Sequence, residues 1–307
     1  MKRDFTLILS LFLCFATAAL TSCKKFEGGQ SVPSYLRIDA INLDCDYNTF
    51  GANTNRFIDA WVYIDGDDRG CYELPALVPV LKKGPHEVKV YAGIAANGIK
   101  NSRALYPFTS PATFSDVNLV PDSIVTLAPT VRYEVENNPA TVYWKENFDG
   151  GTYKMEANDD SDASIIQESG PLAWHDPLGF NRSAKLVLHS DTAQFCITTS
   201  GKFTDFPSGM FSCMLEMDYK CSDTCAVGYI YKMSYTNEKR GGILRLKPTG
   251  VSGEEPVEWN KIYITLGPYF DDYKDADYFK IYLSSWDDRN EGDQYFYFDN
   301  LKIIYMR

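Results

Sequence analysis

Histidine is scarce in this 307-residue chain, which has only His86, His175 and His189. None of the three stands in a His-Glu-x-x-His pair, so a zinc-protease helix is excluded. No Gly-x-Ser-x-Gly elbow is present either; Gly250-Val251-Ser252-Gly253 has the wrong spacing for one. No glycine loop of the phosphate-cradling kind occurs. Surplus positive charge is missing as well. A net charge of −11 argues against nucleic acid or anionic lipid headgroups as partners. Beyond the N-terminal stretch, no apolar run approaches the length of a membrane span. Between Ser34 and Tyr133 no run of ten or more residues has helical spacing. These absences weigh against the common hydrolase and nucleotide-using classes and leave binding or structural roles in front.

What the chain does contain is aromatic and β-forming. It holds 21 Tyr and 18 Phe with frequent Val, Ile and Thr, a composition suited to sheets. Its start carries Lys2 and Arg3, an apolar run from Phe5 to Leu20, and small residues before Cys23. That layout is a secretory signal over residues 1–22. The stretch Leu20-Thr21-Ser22-Cys23 looks like the lipobox of bacterial lipoproteins. An ordinary signal peptide with an incidental cysteine is the alternative. The resemblance implies that the Cys23 thiol receives a diacylglycerol and becomes the mature N-terminus. Lys24 after it implies an outer-membrane address. The membrane partner is then the lipid, whose chains anchor stably when two or more are attached. Residues 23–33 are polar and glycine-rich, a flexible tether.

From residue 34 to about 135 short alternating segments are broken by turn residues, as in Trp61-Val62-Tyr63-Ile64 running into Asp65-Gly66. Around seven such strands predict an immunoglobulin-like sandwich. Within it, Val62 to Gly66, Leu77 to Leu81 and Gly84 to Val90 resemble the small PEGA or carboxypeptidase-regulatory-like domains, which implies a spacer without catalytic residues. The composition turns polar between Val131 and Ala140, and this marks a boundary.

Residues 141–307 hold a second, longer strand set. Phe211 to Cys221 alternates for eleven residues, with Phe, Cys, Leu, Met, Tyr and Cys on one face and Ser, Met, Glu, Asp and Lys on the other. This reads as a strand with one face in a core. Nine or ten strands predict a jelly-roll sandwich, making the whole chain all-β. The start Glu146-Asn147-Phe148-Asp149-Gly150, the segment Gly179 to Leu188 and the ending Phe298-Asp299-Asn300-Leu301 look like a galactose-binding-type jelly roll, a fold that many carbohydrate-binding modules share. That resemblance implies a structural calcium held by Glu146, Asp149 and Asp299, although no other cofactor is called for. Solvated acidic loops are the plainer reading of the adjacent carboxylate pairs Asp159-Asp160, Asp271-Asp272 and Asp287-Asp288.

Once Cys14 leaves with the signal and Cys23 is lipidated, Cys45, Cys71, Cys196, Cys213, Cys221 and Cys225 remain. An exported chain permits disulfides. Cys221–Cys225, closing a hairpin, is the first candidate and Cys45–Cys71 the second; core thiols are the alternative. Sugars are gripped by flat aromatic faces beside polar forks. Trp286, with Asp287 and Arg289, and Trp174, in a polar loop, fit that description, while Tyr269 is a weaker candidate. Capping of the sandwich core is the structural alternative for both tryptophans. The expectation is thus a non-catalytic envelope lipoprotein that binds a polysaccharide or a surface protein. An adhesion subunit and a glycan-active hydrolase follow as second and third readings.

Overall fold

The computed structural model describes residues 32–133, 139–189, 194–204, 213–286 and 292–306. The signal stretch 1–22, Cys23 and the tether up to residue 31, Phe211, Asp287 and Arg289 lie outside the described residues.

The first unit opens with β1 (Ser34–Ile38), β2 (Asn42–Asp44) and the single turn α1 (Tyr47–Phe50). Next come β3 (Asp59–Ile64), β4 (Asp67–Glu73), β5 (Ala76–Val80) and β6 (Gly84–Ala95). It closes with β7 (Arg103–Leu105), β8 (Ala112–Leu119), β9 (Ile124–Leu127) and β10 (Thr130–Arg132). One sheet runs β4-β3-β6-β7, with β8 also on β6; the facing layer is β5-β1-β9 together with β10-β2. Period-two alternation explains the sandwich: Ala60, Val62 and Ile64 of β3 and Val88 and Val90 of β6 are buried, facing Leu36 and Ile38 of β1. The β3–β4 hairpin closes in two residues, Asp65 (φ 51°) and Gly66 (φ 83°). Both are left-handed, as a type I′ turn requires. The unit is the expected immunoglobulin-like sandwich, with β1 pairing β9 in parallel and β5 antiparallel.

The second unit comprises β11 (Ala140–Glu146), β12 (Met155–Ala157), β13 (Ile166–Glu168), β14 (Ser183–Leu188) and β15 (Gln194–Thr199). There follow β16 (Cys213–Cys221), β17 (Cys225–Lys232), β18 (Lys239–Leu246), β19 (Asn260–Thr265) and the short α2 (Gly267–Asp271). The last two strands are β20 (Tyr278–Trp286) and β21 (Gln294–Met306). They form two antiparallel sheets, β13-β14-β21-β16-β19 with β11 also on β21, and β12-β15-β20-β17-β18. Leu186, Leu215, Phe296 and Phe298 from the first sheet meet Phe195, Ile197, Ile281 and Leu283 from the second in one core. Each such side chain contributes about 1.5–3 kcal/mol by burial.

The alternation of β16 placed one face in a core, and the structure buries the other as well: Met214, Glu216, Asp218 and Lys220 are buried along with the apolar face. The first unit covers part of it, so that Met214, Tyr263 and Ile304 of the jelly roll belong to the first unit's core. Charge is buried there in compensated form. Lys302 Nζ lies 3.3 Å from Glu216 Oε2 and donates to Tyr133 Oη at 2.6 Å. Lys261 Nζ stands 3.6 Å from the same carboxylate, while Tyr106 Oη donates to Glu216 Oε1.

Neither expected disulfide is formed, because all six cysteines in the described residues are free thiols. The Cys221–Cys225 connection is not a hairpin but a crossing from one sheet to the other. Cys221 donates to the Lys247 carbonyl and Cys225 to that of Ala226. Burial pushes the Cys221 thiol up to about 12. Cys45 donates to the Gly51 carbonyl beside α1, and Cys71 sits in β4 opposite Trp61, in the other layer of the sandwich.

Candidate functional site

The outward face of the β13-β14-β21-β16-β19 sheet is where the two units meet, and a cleft of about 480 Å³ opens beside the junction. Its floor is the sheet, through Asp218 of β16 and Asn260 and Lys261 of β19. One wall is the first unit's segment Thr54-Asn55-Arg56, and the other is made by Trp174, Glu258 and Trp259. Trp259 enters just ahead of β19, and its ring sits 5.8 Å from that of Trp174 at 89°. An edge-to-face pair of this kind presents one broad face and one edge to whatever enters.

Neighbouring groups hold the pair in place. The Trp174 backbone N–H donates to Ser183 Oγ at 2.8 Å, which itself donates to Asp299 Oδ2 at 2.6 Å. Lys220 Nζ lies 5.2 Å from the Trp259 ring and 4.5 Å from that of Tyr297. Burial lowers this ammonium to about 8. Two lining atoms are buried without a hydrogen-bond partner among the described residues, Trp174 Nε1 and Asn260 Oδ1. One is a donor and the other an acceptor, and leaving both unmade costs about 1–3 kcal/mol each.

The residues singled out from sequence are dispersed. Trp174 lines the cleft. Trp286 lies on the outward face of the opposite sheet, 47% exposed, with the Arg245 guanidinium 4.9 Å from its ring centre. Tyr269, in α2, is half-buried with its ring 5.5 Å from Tyr229, packed on the core. Trp259 was absent from the sequence candidates because it opens a strand and so reads as core. Its one signal was the polar pair, Glu258 and Asn260, that flanks it.

Glu146, Asp149 and Asp299 do not make a calcium cage. Among the described residues no group of three or more His, Cys, Asp or Glu is arranged to hold a metal ion. Glu146 instead accepts from the Phe148 and Lys154 backbone N–H groups. Asp149 accepts from Asn147 Nδ2, and Asp299 from Ser183 Oγ and the Asn300 N–H.

Burial first, and then the nearby Asp218 and Asp149 charges, raise Asp299 well above the ordinary carboxylate range. The unfolded chain would release this proton near pH 3.9, whereas the folded one keeps it to higher pH. The associated stability is therefore fully present below about pH 3.9 and is lost as pH rises through the folded value. Asp299→Asn is expected to melt above the parent at pH 8, with the gap narrowing towards pH 4 in scanning calorimetry. A gap independent of pH would refute the assignment.

The fold and cleft together define a class: an all-β protein of two sandwiches in which the jelly roll presents an aromatic-walled cleft on one sheet. No protein-family model and no curated protein matches the chain. Among solved structures it is similar to the C-terminal family 22 carbohydrate-binding module of Clostridium thermocellum Xyn10B. That match has 13% identity over 53% of this chain and 94% of that one, with a TM-score of 0.35. A xylan-binding domain of family 22 matches at 13% identity over 56% of this chain and 97% of that one, TM-score 0.35. The family 30 module of the cellulosomal cellulase Cel9D-Cel44B of Clostridium thermocellum matches at 13% identity over 52% and 89%, TM-score 0.33.

Proposed function

We propose that the protein is a glycan-binding module of the cell envelope, tethered by a lipid on Cys23 at the outer membrane, and that the cleft walled by Trp174 and Trp259 takes the sugar. The observation that carries this reading is the perpendicular tryptophan pair in a cleft whose lining also holds Asn55, Arg56 and Glu258. An apolar sugar face lies on a ring, and its hydroxyls meet the polar side chains of the lining, Asn55, Arg56 and Glu258. Binding without turnover is part of the proposal: the carboxylates lining the cleft are Asp218 and Glu258. Asp218 is buried, accepts from Asn300 Nδ2 and stands 3.8 Å from Lys261 Nζ. Burial raises it above the usual carboxylate range.

Affinity electrophoresis in gels cast with xylan, galactan or β-glucan tests the reading. Retardation in at least one gel is expected, and Trp259→Ala should weaken it at least tenfold, about 1.4 kcal/mol. Failure of every neutral polysaccharide to retard the parent would sink it.

One observation favours protein contact as a second reading. On the outward face of β5-β1-β9, Leu77, Leu81 and Ile124 are exposed, a grouping of the kind that marks interaction surfaces.

A further inference from the structure

The outward face of the other jelly-roll sheet is built differently from the cleft. Along β20, Phe279, Ile281 and Leu283 enter the core, so Tyr278, Lys280, Tyr282, Ser284 and Trp286 face outward. Arg240 and Arg245 of β18 are five residues apart, and in a regular strand they would point to opposite faces. A bulge in the β17–β18 ladder, between Val227 and Gly228, changes that. It places Arg245 opposite Ala226 and Arg240 opposite Ile230, both on the outward side with Gly228. Both arginines are exposed, and neither forms an ion pair with a carboxylate among the described residues. Arg240 Nη2 meets the Asn158 side-chain amide at 2.7 Å.

The aromatic rings lie among these cations. The Arg245 guanidinium stands 4.9 Å from the Trp286 ring centre, and Lys202 Nζ stands 4.4 Å from that of Tyr278. Tyr282 lies flat across the neighbouring strand: a Cβ on Gly228 would come within 2.3 Å of its Cζ, so only glycine leaves room for that ring. Acidic groups on this side are Glu156, in the row of Thr198 and Tyr282, Glu238, which accepts from Tyr278 Oη, Asp160, whose charge and that of Arg240 both reach the Cys196 thiol, and Asp277 beside Tyr278. On a chain of net charge −11, this face gathers four cations, Arg240, Arg245, Lys280 and Lys202.

We propose that this face is a second binding surface, for an acidic polysaccharide bearing uronate carboxylates. Trp286 and Tyr282 sit four residues apart, about 13 Å along the strand. Arg245 and Arg240 span the same four ladder steps, from Ala226 to Ile230. Alternating rings and guanidiniums thus match a linear sugar chain whose faces stack and whose carboxylates take bidentate hydrogen bonds. Neutral glycans lack the carboxylates that draw charge-assisted bidentate pairing from the arginines.

The test uses the purified full chain with polygalacturonate, fully methyl-esterified polygalacturonate and duplex DNA as probes, at low and at physiological salt. Retention by polygalacturonate alone is expected. The Arg240→Gln/Arg245→Gln double variant should lose at least tenfold in affinity, and Trp286→Ala a similar amount, each with an unchanged melting temperature. Trp259→Ala should leave this binding intact, which separates the surface from the cleft. Equal retention of the esterified polymer or of DNA, or full binding by the double arginine variant, would overturn the proposal.

Discussion

Replacing Lys302 by alanine is expected to cost about 3–5 kcal/mol of unfolding free energy, the usual penalty for breaking a buried ion pair by removing one member. Lys302 is buried at the junction, and its ammonium serves Glu216, the Tyr133 hydroxyl and the Phe50 carbonyl together. Once it is gone, Glu216 keeps only the Lys261 contact at 3.6 Å and the Tyr106 hydroxyl. A carboxylate left this way in low dielectric is costly. The attraction of the intact cluster is partly cancelled by desolvation, so removing both charges should hurt less than removing one. Lys302→Met with Glu216→Gln should therefore recover more than half of the loss. Urea titration followed by tryptophan fluorescence reads both. A single variant within 1 kcal/mol of the parent would show that the cluster contributes little.

Phe148→Ala should be about as damaging, by about 3–5 kcal/mol, for a different reason. The ring is fully buried in the jelly-roll core, 5.8 Å from Tyr153, yet the backbone there is left-handed, with φ 56°. That conformation is uncommon for a bulky residue. Local bonds hold it: the Phe148 N–H donates to Glu146 Oε1 at 2.7 Å, and its carbonyl accepts from Gln167 Nε2 at 2.6 Å. Truncation empties the ring's place while the Glu146 and Gln167 bonds persist. The urea midpoint should fall with an unchanged slope. A loss below 1 kcal/mol would mean that the site collapses freely.

These two residues mark what could be read in advance. Glu146-Asn147-Phe148-Asp149-Gly150 was visible as a motif, and the structure supplies its physical content: a carboxylate closing a tight turn around a buried ring. The alternation of β16 also gave the strand and its inward face correctly. Period two tells which side chains share a face, however, and says nothing of what lies over that face. The burial of Glu216, Asp218 and Lys220 was therefore not legible, because the buried cations that compensate the two carboxylates come from β19 and β21. The same limit applies to the sugar candidates. Trp174 and Trp286 looked alike in sequence, and topology sends them to opposite sides of the sandwich. Trp259 was hidden by its place at a strand start. Arg240 and Arg245 share a face only through a bulge that one inserted residue creates and that no periodicity reveals.

The shared wall has a practical outcome for dissection. Because Met214, Tyr263 and Ile304 complete the first sandwich's interior, a fragment cut near residue 139 would carry a raw apolar seam studded with Glu216, Lys261 and Lys302. Such a piece invites self-association, so each half acts as the other's chaperone, and the two are expected to be expressed, unfolded and inherited as one object.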